Sequence, residues 1–374
     1  MRSPIVLCIA LFTVAQCVAG QQSAPIVAGQ PDKSNLAALE FSKPKSVEGV
    51  GPGSMIAGRF ECGEDGSIYA LLAGDAPKGD PDSHVALMGI RSDGTTTSFP
   101  WWSAPGFTKI TGPNAIFTGN GHVYVLVKAR GGSEADDHPS AHPAMLTFNQ
   151  KGVLESAVRL NADSRPLTFG VFPSGNMLLV SQDRLNHRMD LSIVSKTGSP
   201  IREISLGKDD FLTKSAAMSP TVRGADNYSP LLLVAMSKVL PLDGHLLLVP
   251  METGDLPMIE IGEDGVLGST TPHLPADLVI EGLVSSSPTS YTLRVARHID
   301  SKDNGARDAQ GKVLAIAVAP YQRLTEISRT DGSVLREIDL GSSGIEPACE
   351  ADGAYRLLTS GSEKKLQVVT ARLR

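Results

Sequence analysis

Paired glycine turns recur along this chain, and they constrain its fold more than any other feature. In each repeat, two short apolar segments flank a first glycine, and two more flank a second glycine further on. The first glycines are Gly66, Gly121, Gly175, Gly244 and Gly311, and the second are Gly94, Gly152, Gly198, Gly265 and Gly332. A sixth repeat opens at Gly353 and ends before its fourth segment. The pattern predicts repeated sheets of four short antiparallel strands.

Alignment on the first glycine shows which side chains share a face of these sheets. The position four residues before it is apolar throughout the well-aligned repeats, with Cys62, Phe117, Val171, Leu240 and Cys349. Side chains alternate between faces along a strand, so this column is expected to pack between neighbouring sheets. We therefore predict an all-β, six-bladed β-propeller of four-stranded antiparallel blades. The repeat spacing doubles between Leu206 and Met236 and again between Gly268 and Gly311, which leaves a seven-bladed ring as the alternative.

Two repeats depart from the pattern. The last lacks a fourth strand, and we predict that the N-terminal segment Ala37–Val47 supplies it and closes the ring. In the fifth repeat Arg307 falls at the apolar position, so we place the inner strand at residues 292–298 and treat Ile299–Gln310 as a long hairpin loop. The pattern resembles six-bladed propellers of the NHL-repeat type. That resemblance implies architecture, and it leaves function open because such propellers serve as scaffolds and as enzymes.

The first 20 residues predict that the protein is exported. A positive flank, an apolar run from Ile5 to Val14 and small residues up to Gly20 are typical of a secretory signal peptide, too short for a membrane span. We predict a signal peptide at 1–20 cleaved after Gly20, a flexible segment at 21–36, and a single propeller domain at 37–374. The protein is then secreted or periplasmic, and we expect a monomer. The net charge of −6 argues against a nucleic-acid partner.

Cleavage would leave two cysteines, Cys62 and Cys349, at the same place in the first and last repeats. A closed ring makes those repeats neighbours, so an oxidising compartment favours a disulfide that locks the ring. The alternative is two buried free thiols, if equivalent positions of adjacent blades lie too far apart to bond.

Long loops are predicted on one rim of the ring, between the second and third strands and between blades, and we assign partner binding to this loop-rich rim. At its channel mouth, seven residues before each first glycine, a polar column could bind a ligand: Arg59, Asn114, Thr168, Ser237 and Glu346. Alternatively, these five residues are polar only because the first residues of a strand are exposed to water. A second cluster, Asp136, Asp137, His138 and His142, could hold calcium or zinc, or be merely the polar residues of a loop.

These features predict a scaffold that binds a protein, a peptide or a cell-envelope polymer, without catalysis. The alternative is a metal-dependent hydrolase or lyase of lactonase-like type in the central channel. In that case Glu346 and Asn114 would hold the metal, although no channel aspartate is evident beside them.

Overall fold

The computed structural model describes residues 36–74, 85–131, 141–183, 189–204, 237–249, 257–275, 278–297, 322–340, 346–360 and 365–374. Leu36–Arg374 form one compact unit. Within these described ranges, no helix has the length and apolar character needed to cross a membrane.

The described chain is built from short strands, as the glycine-punctuated pattern predicts. Three very short strands come first: β1 (Leu36–Ala37), β2 (Leu39–Phe41) and β3 (Lys45–Ser46). Blades 1 to 3 follow, each written from the inner strand outward: β4 (Met55–Cys62), β5 (Ile68–Ala73), β6 (Val85–Ile90) and β7 (Thr96–Phe99); β8 (Phe107–Gly119), β9 (His122–Gly131), β10 (His142–Asn149) and β11 (Leu154–Arg159); β12 (Ser164–Val171), β13 (Met177–Asp183), β14 (Met189–Val194) and β15 (Pro200–Ile204).

Blades 4 to 6 repeat the same order. Their strands are β16 (Lys238–Leu242), β17 (His245–Val249), β18 (Met258–Gly262) and β19 (Gly265–Thr270); β20 (Leu278–Ser286), β21 (Ser290–Arg297), β22 (Gln322–Ser328) and β23 (Val334–Asp339); and β24 (Glu346–Ala351), β25 (Ala354–Ser360) and β26 (Leu366–Leu373). Neighbouring strands within each four-stranded blade are antiparallel. Six such sheets confirm the six-bladed prediction and remove the seven-bladed alternative.

The N-terminal segment closes the ring, as predicted. In blade 6, β2 pairs antiparallel with β26, with Leu39 opposite Leu373, and β3 pairs with the same strand at Ser46 and Gln367. The two short strands together take the place of the missing fourth strand. Just before them, β1 pairs parallel with β23, the outer strand of blade 5. The segment thus covers the outer edges of two blades, which would otherwise expose unpaired backbone groups.

The fifth blade corrects the sequence prediction. Residues 292–298 were expected to form its inner strand, yet β20 is the inner strand and Thr292–Arg297 belong to β21, the second strand. The turn between them has no glycine: the Ser287 hydroxyl accepts from the backbone N–H of Ser290 at 2.9 Å, while Ser287 N donates to Ser290 O. Gly311 is therefore not the first turn of this blade. Arg307 and the proposed hairpin loop Ile299–Gln310 lie outside the described residues.

Four of the five second-turn glycines pack closely against the preceding blade, and Gly265 of blade 4 is the exception, with no atom within 4 Å of an added Cβ. A Cβ at Gly152 would lie 2.2 Å from the Ser98 carbonyl oxygen, and one at Gly94 would lie 2.3 Å from Ser46 O. Both glycines also have positive φ, 78° and 91°. Glycine is required here because a side chain would push the blades apart. By contrast, a Cβ at Gly121, a first-turn glycine with φ of 74°, would have no neighbouring atom within 4 Å.

Apolar side chains fill the spaces between adjacent blades, as the aligned columns predict. Five buried clusters together cover the interfaces around the ring. In the predicted column, Phe117, Val171, Leu240 and Cys349 are all buried. The rigid ring that results positions the inner strands around a central channel.

Candidate functional site

The predicted polar column lies on the inner strands, but its members do not share one environment. Asn114 of β8 is exposed, whereas Thr168 of β12 and Ser237, just before β16, are buried. Arg59 and Glu346 belong to β4 and β24, and their side chains lie outside the described part of the structure. The described members thus differ in exposure, and a single ligand-binding ring formed by all five stays a prediction.

Most inner strands are irregular at the level of this column. Each irregularity interrupts the pairing of an inner strand with its second strand: between Ile56 and Phe60, Thr111 and Ala115, Pro166 and Thr168, Ile280 and Gly282, and Glu346 and Ala348. A bulge bends its strand and redirects the side chains beside it. Side chains of a regular strand alternate between its two faces, but a bulge breaks this alternation. The direction of a polar-column side chain therefore cannot be found by counting seven positions back from the first glycine.

Four side chains meet inside the ring, and we call them the channel cluster: Phe60, Glu61, Lys238 and Arg294. The Lys238 ammonium donates to the Phe60 carbonyl oxygen at 2.6 Å and lies 3.5 Å from Glu61 Oε1. It also lies 4.5 Å from the centre of the Phe60 ring, and the Arg294 guanidinium lies 5.5 Å from the same point. Glu61, Lys238 and Arg294 are 5%, 5% and 8% exposed, so three charges are buried together.

The channel cluster joins opposite sides of the ring. Lys238 begins the inner strand of blade 4, and Phe60 and Glu61 lie on the inner strand of blade 1, three blades away. Nearby, Thr118 of blade 2 donates to the Cys62 carbonyl oxygen of blade 1 at 2.6 Å. Buried charges are stable only when they are paired and hydrogen-bonded, which is how Lys238 is held. The geometry therefore suits a structural contact that holds the inner strands of blades 1 and 4 together across the channel.

Sequence reasoning missed the channel cluster, although a signal was present. Glu61 and Lys238 are charged residues in strands whose other members are largely apolar, each within two positions of the polar column. The repeat alignment did not pair them because they come from different blades and different columns. Only the closed ring brings them to within 3.5 Å of each other.

A second feature lies on the rim opposite the loop-rich rim, where the first turns of the blades meet. We call this the hairpin rim. Here the first turns of four successive blades enclose a cavity of about 280 Å³. Its lining residues come from blades 1 to 4: Glu64, Asn120, Val171, Pro173, Pro241, Leu242, Asp243, Gly244 and His245. We call this the hairpin-rim cavity. It was not predicted, since the uniform turns gave no reason to expect a concave surface.

One wall of the hairpin-rim cavity is fixed by a network of charged and polar side chains between blades 4 and 5. Glu260 accepts from Tyr291 Oη at 2.5 Å and from Arg329 Nε and Nη2 at 3.0 and 3.2 Å. His245 Nε2 lies 3.1 Å from the same carboxylate, and Arg329 Nη1 donates to Asp243 at 3.0 Å. The network holds two cavity-lining residues, Asp243 and His245, in place.

The network fixes the protonation of Glu260 and Tyr291. Burial opposes ionisation of Glu260, but hydrogen bonds from Arg329 and Tyr291 outweigh burial and hold the pKa of this carboxyl below its usual value. Burial, together with the bond to Glu260, raises the pKa of the Tyr291 phenol above its usual value. The phenol therefore stays protonated and donates, and Glu260 stays charged, which suits a fixed support. His122 of blade 2 follows its first glycine as His245 does, and it too contacts a carboxylate, Glu155, at 3.0 Å.

The predicted metal cluster is only partly within the described chain. Asp136, Asp137 and His138 lie outside it. His142 belongs to β10, is 4% exposed, and accepts a hydrogen bond at Nε2 from Arg159 at 2.6 Å. That lone pair is therefore already in use. Within the described residues no group of three or more His, Cys, Asp or Glu side chains is placed to hold a metal ion, and the calcium or zinc site stays a prediction.

Cys62 and Cys349 are joined in the structure, with their Cα atoms 5.4 Å apart. The bond links the inner strands of blades 1 and 6 and closes a loop that spans 287 positions of sequence. Of the two possibilities that the sequence leaves open, the structure has the covalent one. The ring is thus closed twice, by the disulfide on the inside and by β2 and β3 on the outside.

Comparison with known proteins gives three similar solved structures and no family. No family model matches the chain, and no curated protein matches its sequence. Among solved structures it is similar to a protein of unknown function from Bacteroides caccae, with 13% identity over 76% of this chain and 83% of that one and a TM-score of 0.38. It is also similar to the computationally designed Ika8 protein, with 12% identity, coverage of 90% and 99%, and a TM-score of 0.37.

A third similar structure is a luciferin-regenerating enzyme, with 9% identity, coverage of 88% and 95%, and a TM-score of 0.44. All three TM-scores are below 0.5, so these likenesses carry no argument about activity. The chain is a six-bladed β-propeller, and its function has to be inferred from its own residues.

Proposed function

We propose that this protein is an exported binding scaffold whose loop-rich rim engages a protein, a peptide or a cell-envelope polymer, without catalysis. The observation that carries the proposal is the channel cluster. Lys238 of blade 4 reaches the backbone of Phe60 in blade 1, so side chains occupy the volume in which a channel enzyme would hold its substrate at that level. Export is inferred from residues 1–20 alone.

The assignment to the loop-rich rim rests on chain topology. Antiparallel strands place both glycine turns of a blade on the hairpin rim, and the second-to-third-strand loops and the blade connectors on the other. The largest insertions fall between those strands and in those connectors, as in residues 132–140 and 205–236. Variable loops on a rigid scaffold are where binding residues are usually found.

Site-specific photo-crosslinking tests which rim is used. A photoreactive residue is placed at Ser103 or Asp163, which are exposed in described connectors of the loop-rich rim, and the matched controls are Lys151 and Lys196, exposed in second turns of the hairpin rim. In envelope extracts, we expect crosslinked products from the first pair and none from the second. Products from the Lys151 and Lys196 positions alone would contradict the proposal.

A channel enzyme makes a different demand. It should bind a divalent ion in stoichiometric amount and lose that ion on Glu346→Gln or Asn114→Ala. Elemental analysis of purified, undialysed protein tests this directly. We expect less than one ion per chain and no effect of either substitution on metal content; a full equivalent that both substitutions remove would replace the scaffold proposal with the hydrolase.

A further inference from the structure

The hairpin-rim cavity has no role in the scaffold proposal, yet its lining has a definite chemical preference. Its floor and walls are apolar: Val171 and Leu242 are buried, and Pro173 and Pro241 present ring carbons at the edge. The volume of about 280 Å³ is just below the usual range for small-molecule pockets, which begins at about 300 Å³. An apolar volume of this size suits a compact organic group and not a polymer.

Two of the ionisable side chains around this volume are hydrogen-bond acceptors. Glu64 and Asp243 are carboxylates, which only accept. His245 Nε2 lies 3.1 Å from the Glu260 carboxylate, and because a carboxylate only accepts, this nitrogen carries the proton in that bond. The Asn120 amide nitrogen donates to the Phe172 carbonyl oxygen at 3.1 Å, so one of its two N–H donors is already engaged.

The charge balance at the cavity is negative. Arg329 is bonded to Glu260 through two nitrogens and to one oxygen of Asp243 through a third, so a single cation faces two carboxylates. Glu64, from blade 1, adds a further negative charge and is exposed at the cavity rim. A ligand that matches this lining has a positively charged group with several hydrogen-bond donors, attached to an apolar group.

We propose that the hairpin-rim cavity is a binding site for a small organic cation, a primary amine with a compact apolar group. The ammonium lies between Glu64 and Asp243, and the apolar group contacts Val171 and Leu242. Binding requires no movement of the blades because the cavity is already present between the first turns. The site is separate from the loop-rich rim, so a macromolecular partner and a small cation can bind together.

Benzylamine is a suitable probe, with benzyl alcohol and phenylacetate as neutral and anionic controls of similar shape. Ligand-observed NMR titrations of the full mature chain measure the three affinities at low salt. We expect benzylamine to bind about tenfold or more tightly than benzyl alcohol, and phenylacetate to bind more weakly than both. Equal affinity for the amine and the alcohol would overturn the proposal, as would no binding of benzylamine.

Two substitutions locate the site. Glu64→Lys reverses a charge at the cavity rim, and we expect it to weaken benzylamine binding about fivefold or more while benzyl alcohol binding is unchanged. Glu48→Lys makes the same change at another exposed position and should have no effect. Both side chains are exposed, so the thermal midpoints should match the parent and show that both variants fold. Equal weakening by the two variants would show that benzylamine senses only net charge, which would refute the site.

Discussion

The channel cluster makes the sharpest prediction about stability, through the substitution Lys238→Met. Methionine keeps an unbranched side chain of similar length and removes the ammonium that donates to Phe60 O at 2.6 Å and lies 3.5 Å from Glu61. The Glu61 carboxylate, 5% exposed, then loses the cation beside it. A buried charge without its partner keeps its desolvation cost and loses the attraction that offsets it.

The magnitude follows from burial. Removing one partner of a buried ion pair typically costs about 3–5 kcal/mol, and we expect about 3 kcal/mol because Arg294 remains in the cluster as a second cation. The double variant Lys238→Met with Glu61→Leu removes both charges. Replacing a buried pair with apolar side chains is often neutral or better, so the double variant should be more stable than Lys238→Met alone.

Urea denaturation followed by tryptophan fluorescence measures these differences, since Trp101 is fully buried and reports unfolding. Arg202→Met is the matched control: Arg202 lies 3.3 Å from Asp264, but the side chains are 44% and 96% exposed. This exposed pair should contribute less than about 1 kcal/mol. The reasoning fails if Lys238→Met costs no more than Arg202→Met, or if the double variant is the least stable of the three.

Three further predictions concern the ring. Gly152→Ala should destabilise by about 1–3 kcal/mol more than Gly121→Ala in urea titrations, since both have positive φ but only the Gly152 Cβ would meet a neighbouring blade; equal losses would contradict the packing argument. Because its folded pKa is lowered, Glu260 stabilises the fold above its unfolded pKa of about 4.3, and this contribution is lost as pH falls through the folded pKa. Glu260→Gln should therefore lower the melting temperature at pH 7 and reduce the fall in melting temperature between about pH 6 and about pH 3, values chosen to bracket that range. If the variant showed the same fall as the parent, the Glu260 carboxylate would not be the cause of the pH dependence. Replacing Cys62 and Cys349 with alanine should cost about 2–5 kcal/mol, and adding reductant to the parent should produce a similar loss; a loss below 1 kcal/mol, a rough threshold, would show that β2 and β3 already close the ring.

The architecture was predictable because its signals are local. Asn120–Gly121 and Asp243–Gly244 adopt the positive φ values that hairpin turns need, and such turns fix where strands begin and end. The prediction failed in blade 5 because Ser287 closes the turn with its hydroxyl, so the glycine signal is absent there. The strand at residues 292–298 was recognised as a strand, but its place in the blade was wrong.

The candidate sites were far less predictable because they depend on contacts between distant blades. Lys238 and Phe60 are 178 positions apart in sequence and meet through the channel. The polar column was chosen by counting from the first glycine. Bulges in the inner strands change which face a side chain lies on, so this count does not predict its direction. The cavity beside Glu64 and His245 exists only because four turns converge.

By itself, then, the sequence determined the repeated blade and the use of its N-terminal segment to complete the last one, since strand period, turn chemistry and a missing strand are all properties of neighbouring residues. Tertiary structure decided between six blades and seven, and between a disulfide and free thiols at Cys62 and Cys349. It alone showed that Lys238 spans the channel and that a cavity opens on the hairpin rim. These features depend on how the ring closes, and closure sets distances between residues that are far apart in the sequence.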